Sequence, residues 1–327
     1  MADLLARHAE ALFWMARQME RAENLARILD VNETFSRDGQ GSQNWETIVK
    51  LYADEERFAE TGRALNAETV LHFYVLDTEN PGSIVATIRM ARENARALRP
   101  LISTEMWTQL NMFYSELRGL TKNAIAEPNL NRLCAFIKEA CQTHTGITEG
   151  TYYRDSGWYF YQLGKLIERA DQMTRLVDVK YHLLLPSPDY VGSPLDVSQW
   201  NAVLRSAAAY HAFRRINPSG MSPTRVSSFL LFNGDFPRSV SAAVADATAT
   251  LTKLRFRFGL AVGEEAVKRL QFLDQWLTRE TIEDVVARGL HETNDWIQSE
   301  LIAVTSALHD AFFSQPPDGA ESATPTA

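Results

Sequence analysis

Twelve residues are written twice in this chain, ERAENLARILDV at 20–31 and ERADQMTRLVDV at 168–179, an offset of 148 positions. Glu20/Glu168, Arg21/Arg169, Ala22/Ala170, Arg27/Arg175, Asp30/Asp178 and Val31/Val179 are identical, and Glu23/Asp171 keeps its charge. The agreement continues upstream in kind, with Phe13 answering Tyr161, Ala16 answering Gly164, Arg17 answering Lys165 and Met19 answering Ile167. It implies an internal duplication, with motif copies at 12–31 and 160–179. A chain made of two copies of one helical unit is expected to fold as two halves related by a pseudo-twofold axis.

Both copies sit on helical patterns. Leu12, Met15, Met19, Ala22, Ala26 and Leu29 recur at three- and four-residue steps, the spacing of a buried helix face. Beside that face, Glu20, Glu23, Arg27 and Asp30 follow the seam spacing of a coiled coil, and Glu168, Asp171, Arg175 and Asp178 repeat it. Ala16 and Gly164 lie on the same stripe one turn earlier, where small residues let a neighbouring backbone come close. Acids and arginines thus occupy a row normally given to leucine and isoleucine.

Three readings of the stripe stay open. It is a solvated face, with Glu23→Arg27 and Asp171→Arg175 worth about 0.2–0.5 kcal/mol each. Alternatively it is a buried ion-pair network locking two helices, or a ligand or metal site. Each stripe holds three acids and one arginine, so the pair carries about −4. That excess suits Mg²⁺ or an amine, with Glu20, Glu23, Glu168 and Asp171 as the ligands. Arg21 and Arg169 project away from the stripe and are expected to serve a second contact.

The chain has 327 residues, 45% of them hydrophobic and 23% charged, which fits a globular helical body. A net charge of −8 disfavours non-specific nucleic-acid binding, which rests on phosphate neutralisation. The two cysteines, Cys134 and Cys141, are too far apart on one helix to bridge and read as reduced, buried thiols. No N-terminal signal pattern and no membrane-length apolar run occur, so a cytoplasmic location away from membranes is expected.

Capping and breaker signals divide the chain into ten to twelve helices with no sheet. Asp3, Asn66, Ser83, Ser103 or Thr104, and Ser239 are N-cap candidates and Asp155 can cap the second motif helix. Helices are expected over 45–61, 129–145 (interrupted at Gly146 and Gly150), 196–216 and 281–313. The last residues, 314–327, are polar, proline-rich and expected to be a disordered tail, leaving a single helical domain over 1–313.

The usual catalytic constellations are missing. There is no Glu-x-x-His pair of a di-iron bundle, no phosphate-cradling glycine loop, no nucleophile elbow and no acidic diphosphate motif. His182 lies four residues after Asp178 and His291 four before Asp295, spacings too common to mark a metal site. Arg238 could meet a carboxylate, and the helix start at Ser239 favours an anion; an ordinary salt bridge at a helix start explains Arg238 equally well.

The doubled ERA[ED]…R…DV, together with LFWMARQMERAENLARILDV at 12–31, ARENARALRPLISTEMWTQLN at 91–111 and FLLFNGDFPRSV at 229–240, resembles the bacterial alpha-E proteins. These are all-helical domains of unknown function named for their Glu-Arg motif. The resemblance implies association with a circularly permuted ATP-grasp protein and a transglutaminase-like protein, hence with making, attaching or trimming peptides. It implies an accessory role beside an amide ligase, possible binding of a peptide substrate and no required cofactor. An enzyme built on the doubled carboxylates and a purely structural oligomerisation module are the alternatives.

Overall fold

The computed structural model describes residues 4–38, 45–182, 193–218 and 220–314. The described residues form helices and turns, with no strand. The first half contains α1 (Ala6–Asp38), α2 (Trp45–Leu51), α3 (Glu55–Glu60), α4 (Ala67–Leu71), α5 (Ile84–Ala97), α6 (Thr104–Arg118) and α7 (Glu127–Thr151). The second contains α8 (Ser156–His182), α9 (Pro194–Ser206), α10 (Tyr210–Ile216), α11 (Pro223–Phe232), α12 (Val240–Phe258), α13 (Glu264–Arg279), α14 (Ile282–Arg288) and α15 (Leu290–Leu308).

Several helix starts follow the local chemistry read from sequence. The side chains of Asn66, Ser83, Ser103 and Ser239 accept backbone N–H groups of α4, α5, α6 and α12, satisfying donors that a helix start leaves unpaired. Asp155 caps α8 through the Trp158 N–H at 3.2 Å.

The helices outnumber the expected ten to twelve because three long segments break. The 45–61 segment breaks at Ala53 (φ 51°), 196–216 at Ala208 (φ 56°) and 281–313 at Gly289 (φ 110°). Alanine in the left-handed region costs about 1–2 kcal/mol, so nothing local announces the first two breaks. Tertiary contacts impose them: the carbonyls freed at Leu51 and Ser206 accept hydrogen bonds from Arg175 and Arg27 of the two motif helices. Conversely, α7 runs unbroken through Gly146 and Gly150. A glycine costs a helix only about 1 kcal/mol, and packing on α1 outweighs it. Beyond Ser314, the expected tail lies outside the described residues.

The two motif helices form the centre. α1 packs most extensively against α8. α5 and α7 flank α1 and are joined by α6, while α12 and α15 flank α8 and are joined by α13. α2 crosses onto α8 and α9 crosses onto α1, so each half lays an element on the other's central helix. The turns before α5 and α12 match atom for atom. Ser83 Oγ donates to the Asp77 carbonyl and Ser239 Oγ to that of Asn233, while the Glu79 and Asp235 N–H groups donate to Asp77 Oδ1 and Asn233 Oδ1.

α1 and α8 are surrounded on nearly every side, so their polar stripes have no solvent to face. Leu12, Phe13, Met15, Leu29, Leu163 and Val177 are fully buried around the crossing, worth about 1.5–3 kcal/mol for each large side chain. The crossing is close because Gly164 lacks a side chain: a Cβ there would lie 2.1 Å from the Phe13 carbonyl oxygen. That is the close backbone approach expected of the small residue on the stripe.

Candidate functional site

At the crossing the two Glu-Arg dyads exchange partners. Arg21 Nε and Nη2 donate to Glu168 Oε1 and Oε2 at 2.7 and 3.0 Å. Arg169 Nε and Nη2 donate to Glu20 Oε1 and Oε2, both at 2.9 Å. Each is a two-pronged guanidinium–carboxylate fork, the strongest geometry available to such a pair. The residues expected to point away from the stripe are therefore the ones that join the two copies.

Each central glutamate takes a second arginine and an amide. Arg17 Nε donates to Glu168 at 2.7 Å and Gln172 Nε2 to Glu168 at 3.1 Å. Arg238 Nη1 donates to Glu20 at 3.1 Å and Asn24 Nδ2 to Glu20 at 3.2 Å. Asn24 and Gln172 share the offset of 148, so the sequence repeats these amides as well.

One turn further on, the pattern repeats. Arg27 Nη2 donates to Glu23 at 2.6 Å, and Arg238 reaches the same carboxylate. Arg175 Nε donates to Asp171 at 3.0 Å. At the far end, Lys138 Nζ of α7 meets Asp30 at 2.7 Å, and His291 Nδ1 of α15 meets Asp178 at 2.7 Å, with Asn294 Nδ2 on the same carboxylate at 3.2 Å.

The stripes are buried and adjacent, but the expected excess of negative charge does not survive. Glu20, Glu23, Glu168 and Asp171 are met by six arginines: Arg17, Arg21, Arg27, Arg169, Arg175 and Arg238. Acid does not confront acid across the interface. Arg238 does meet a carboxylate, but of its own chain, and the Ser239 hydroxyl is spent capping α12 through the Ala242 N–H at 3.0 Å.

Electrostatics follows this geometry. Burial acts most strongly on Glu20 and would raise its pKa, but Arg169 and Arg238 together override it and hold the carboxyl at about 2. Burial likewise opposes ionisation of Glu168, and Arg21 and Arg17 bring it to about 2. Both acids are carboxylates at any physiological pH, which removes them as proton donors.

The four carboxylates suggested for Mg²⁺ do not fit that ion. Mg²⁺ requires near-octahedral oxygen ligands, most of them water, whereas these oxygens accept arginine N–H bonds inside a cationic surround. Among the described residues one other set has metal-ligand chemistry, Asp178, His291 and Asp295. There His291 Nε2 lies 3.5 Å from Asp295 while Nδ1 faces Asp178. The matching place in the first half holds the Lys138–Asp30 ion pair. The His182 side chain lies outside the described residues.

Residues that sequence reasoning missed are Arg17, Asn24, Gln172, Lys138, His291 and Asn294 as motif partners. No described helix is long and apolar enough to cross a membrane.

The chain is similar to uncharacterized proteins of Mycobacterium bovis and Mycobacterium tuberculosis, 25% identical over 318 residues in each case. The match covers 91% of this chain and 34% of each relative, so the chain spans about a third of their length. No solved structure matches it. The family model described as a predicted alpha-helical domain with a conserved ER motif matches residues 4–313, and this chain, whose two Glu-Arg dyads clasp one another at the crossing of α1 and α8, belongs to that Alpha-E family.

Proposed function

We propose that this protein is a non-catalytic helical partner of an ATP-grasp-type amide ligase, working beside a transglutaminase-like protein in peptide synthesis or modification. The observation that carries the reading is the closed state of the doubled motif. Glu20, Glu23, Glu168 and Asp171 are each held by guanidinium groups of the same chain, so these four carboxylates lock the halves together rather than standing free as acid, base or metal ligand. Function then falls to the surfaces that the lock holds in place. We read the two halves as copies of one unit and residues 1–313 as one domain. Cytoplasm is the compartment that supplies such a ligase with ATP.

Co-purification tests this. The chain, co-expressed with a neighbouring circularly permuted ATP-grasp protein, is expected to retain it on an affinity column at low salt. Separate elution of the ligase under conditions that preserve micromolar complexes would refute the partnership. Glu20→Gln and Glu168→Gln are expected to lower stability while leaving partner binding per folded molecule unchanged. A loss of binding per folded molecule would move the function back into the motif.

A further inference from the structure

The equivalent arginines of the two dyads differ in their freedom. Arg169 spends all three nitrogens, two on Glu20 and Nη1 on the Pro237 carbonyl at 3.4 Å, and its side chain is 13% exposed. Arg21 spends Nε and Nη2 on Glu168, its side chain is 32% exposed, and its Nη1 bonds to no described residue. Arg21 lines a cleft of about 680 Å³ between α1, α5 and α6.

We propose that this cleft binds the free carboxylate of a peptide. Three cations line it: Arg7, Arg21 and Arg89. Arg7 makes no ion pair or hydrogen bond to any described residue, and Arg89 makes one hydrogen bond, to the Thr78 carbonyl at 3.2 Å. Glu168 is shared between Arg17 and Arg21, which leaves positive charge beside the cleft uncompensated. Of the two lining acids, Glu93 is engaged by Arg92 and Arg96 at 2.8 and 3.4 Å, and Glu10 stands 3.9 Å from His309. On a chain of net −8, a cleft lined by three arginines and two acids, one of them already engaged by Arg92 and Arg96, is locally cationic, and the complementary ligand is an anion.

Two features select a peptide carboxylate over phosphate. Asn94 Nδ2 donates to Gln18 Oε1 at 3.1 Å on the cleft wall, leaving Gln18 Nε2 as a donor and Asn94 Oδ1 as an acceptor. A peptide bond presents the complementary acceptor and donor. Glu10 and Glu93 would also repel a dianion more than a single carboxylate, which one guanidinium edge matches. Trp14 and Tyr114 give an adjoining side chain an apolar wall.

The proposal rests on the accessory reading only for the choice of a peptide among carboxylates. Calorimetry on the full chain with acetyl-Ala-Ala-Phe as free acid, its C-terminal amide and inorganic phosphate tests it. The acid is expected to bind saturably, the amide at least about tenfold more weakly, and Arg7→Ala or Arg89→Ala to cost about tenfold, the worth of one charge-assisted hydrogen bond. Phosphate is expected not to displace the acid. Equal affinity for acid and amide, no binding of the acid at millimolar concentration, indifference to both substitutions, or displacement by phosphate would each overturn it. The acid–amide comparison decides even if a variant misfolds. Loss of the ligase with the acid preference intact would overturn the accessory reading alone.

Discussion

Glu168→Gln isolates the lock in a single substitution of nearly unchanged volume. Glu168 is fully buried and accepts from Arg17, Arg21 and Gln172, with three of those four hydrogen bonds coming from guanidinium groups. The amide removes the charge and turns an NH₂ group toward guanidinium donors, leaving two largely buried cations without a counter-ion. Breaking a buried pair from one side costs about 3–5 kcal/mol, and for a chain of this size that corresponds to a melting shift of about 4–7 °C. Urea denaturation followed by far-ultraviolet circular dichroism and by tryptophan fluorescence measures it. Glu46→Gln is the control, because the Lys50–Glu46 pair is exposed and water screens it. Replacing Arg17, Arg21 and Glu168 together by methionine is expected to recover much of the loss, since no orphaned charge remains. A Glu168→Gln effect as small as the control would refute the claim that reciprocal dyads hold the halves together.

Three other outcomes follow from the same geometry. Gly164→Ala places a methyl group against the Phe13 backbone and is expected to cost about 1–3 kcal/mol or more by forcing α1 and α8 apart, read as a lower urea midpoint; an unchanged midpoint would refute the close approach. Because Glu20 and Glu168 have native pKa values of about 2 against 4.5 unfolded, their stabilisation is complete above pH 4.5 and is lost as pH falls toward 2. Each contributes on the order of 3 kcal/mol, so acid denaturation in that window is expected to be shallower in a Glu20→Gln/Glu168→Gln chain. Burial pushes both cysteine thiols up, so a thiol reagent at pH 8 is expected to label Cys134 and Cys141 only after unfolding; rapid labelling of the native chain would contradict their burial.

Much of the architecture could be read along the chain. Serine and asparagine caps named the starts of α4, α5, α6 and α12, because an N-cap is a contact within four residues. The helical character of 12–31 and 160–179 followed from spacing alone. Breaks at Ala53 and Ala208 were not legible, since alanine carries no preference for the left-handed region. They coincide with carbonyls that Arg175 and Arg27 take from the other half of the chain. The doubled Glu-Arg stripe is visible in the sequence as a stripe, but spacing alone fits a solvated face, a buried network or a ligand site equally.

Sequence by itself determined that two helical stretches are similar and that Glu20, Arg21, Glu168 and Arg169 occupy equivalent places in them. Only the tertiary structure decided who pairs with whom. Spacing on one helix counts the charges of that helix, so it returned an acidic ridge in each copy. A twofold-like crossing makes each dyad the complement of its own image, glutamate to arginine and arginine to glutamate. Arg17 and Arg238 complete the neutralisation from positions that no periodicity connects to the glutamates they serve. The same dependence on long-range packing spends Arg169 fully and leaves one edge of Arg21 free, and no string of residues records that difference.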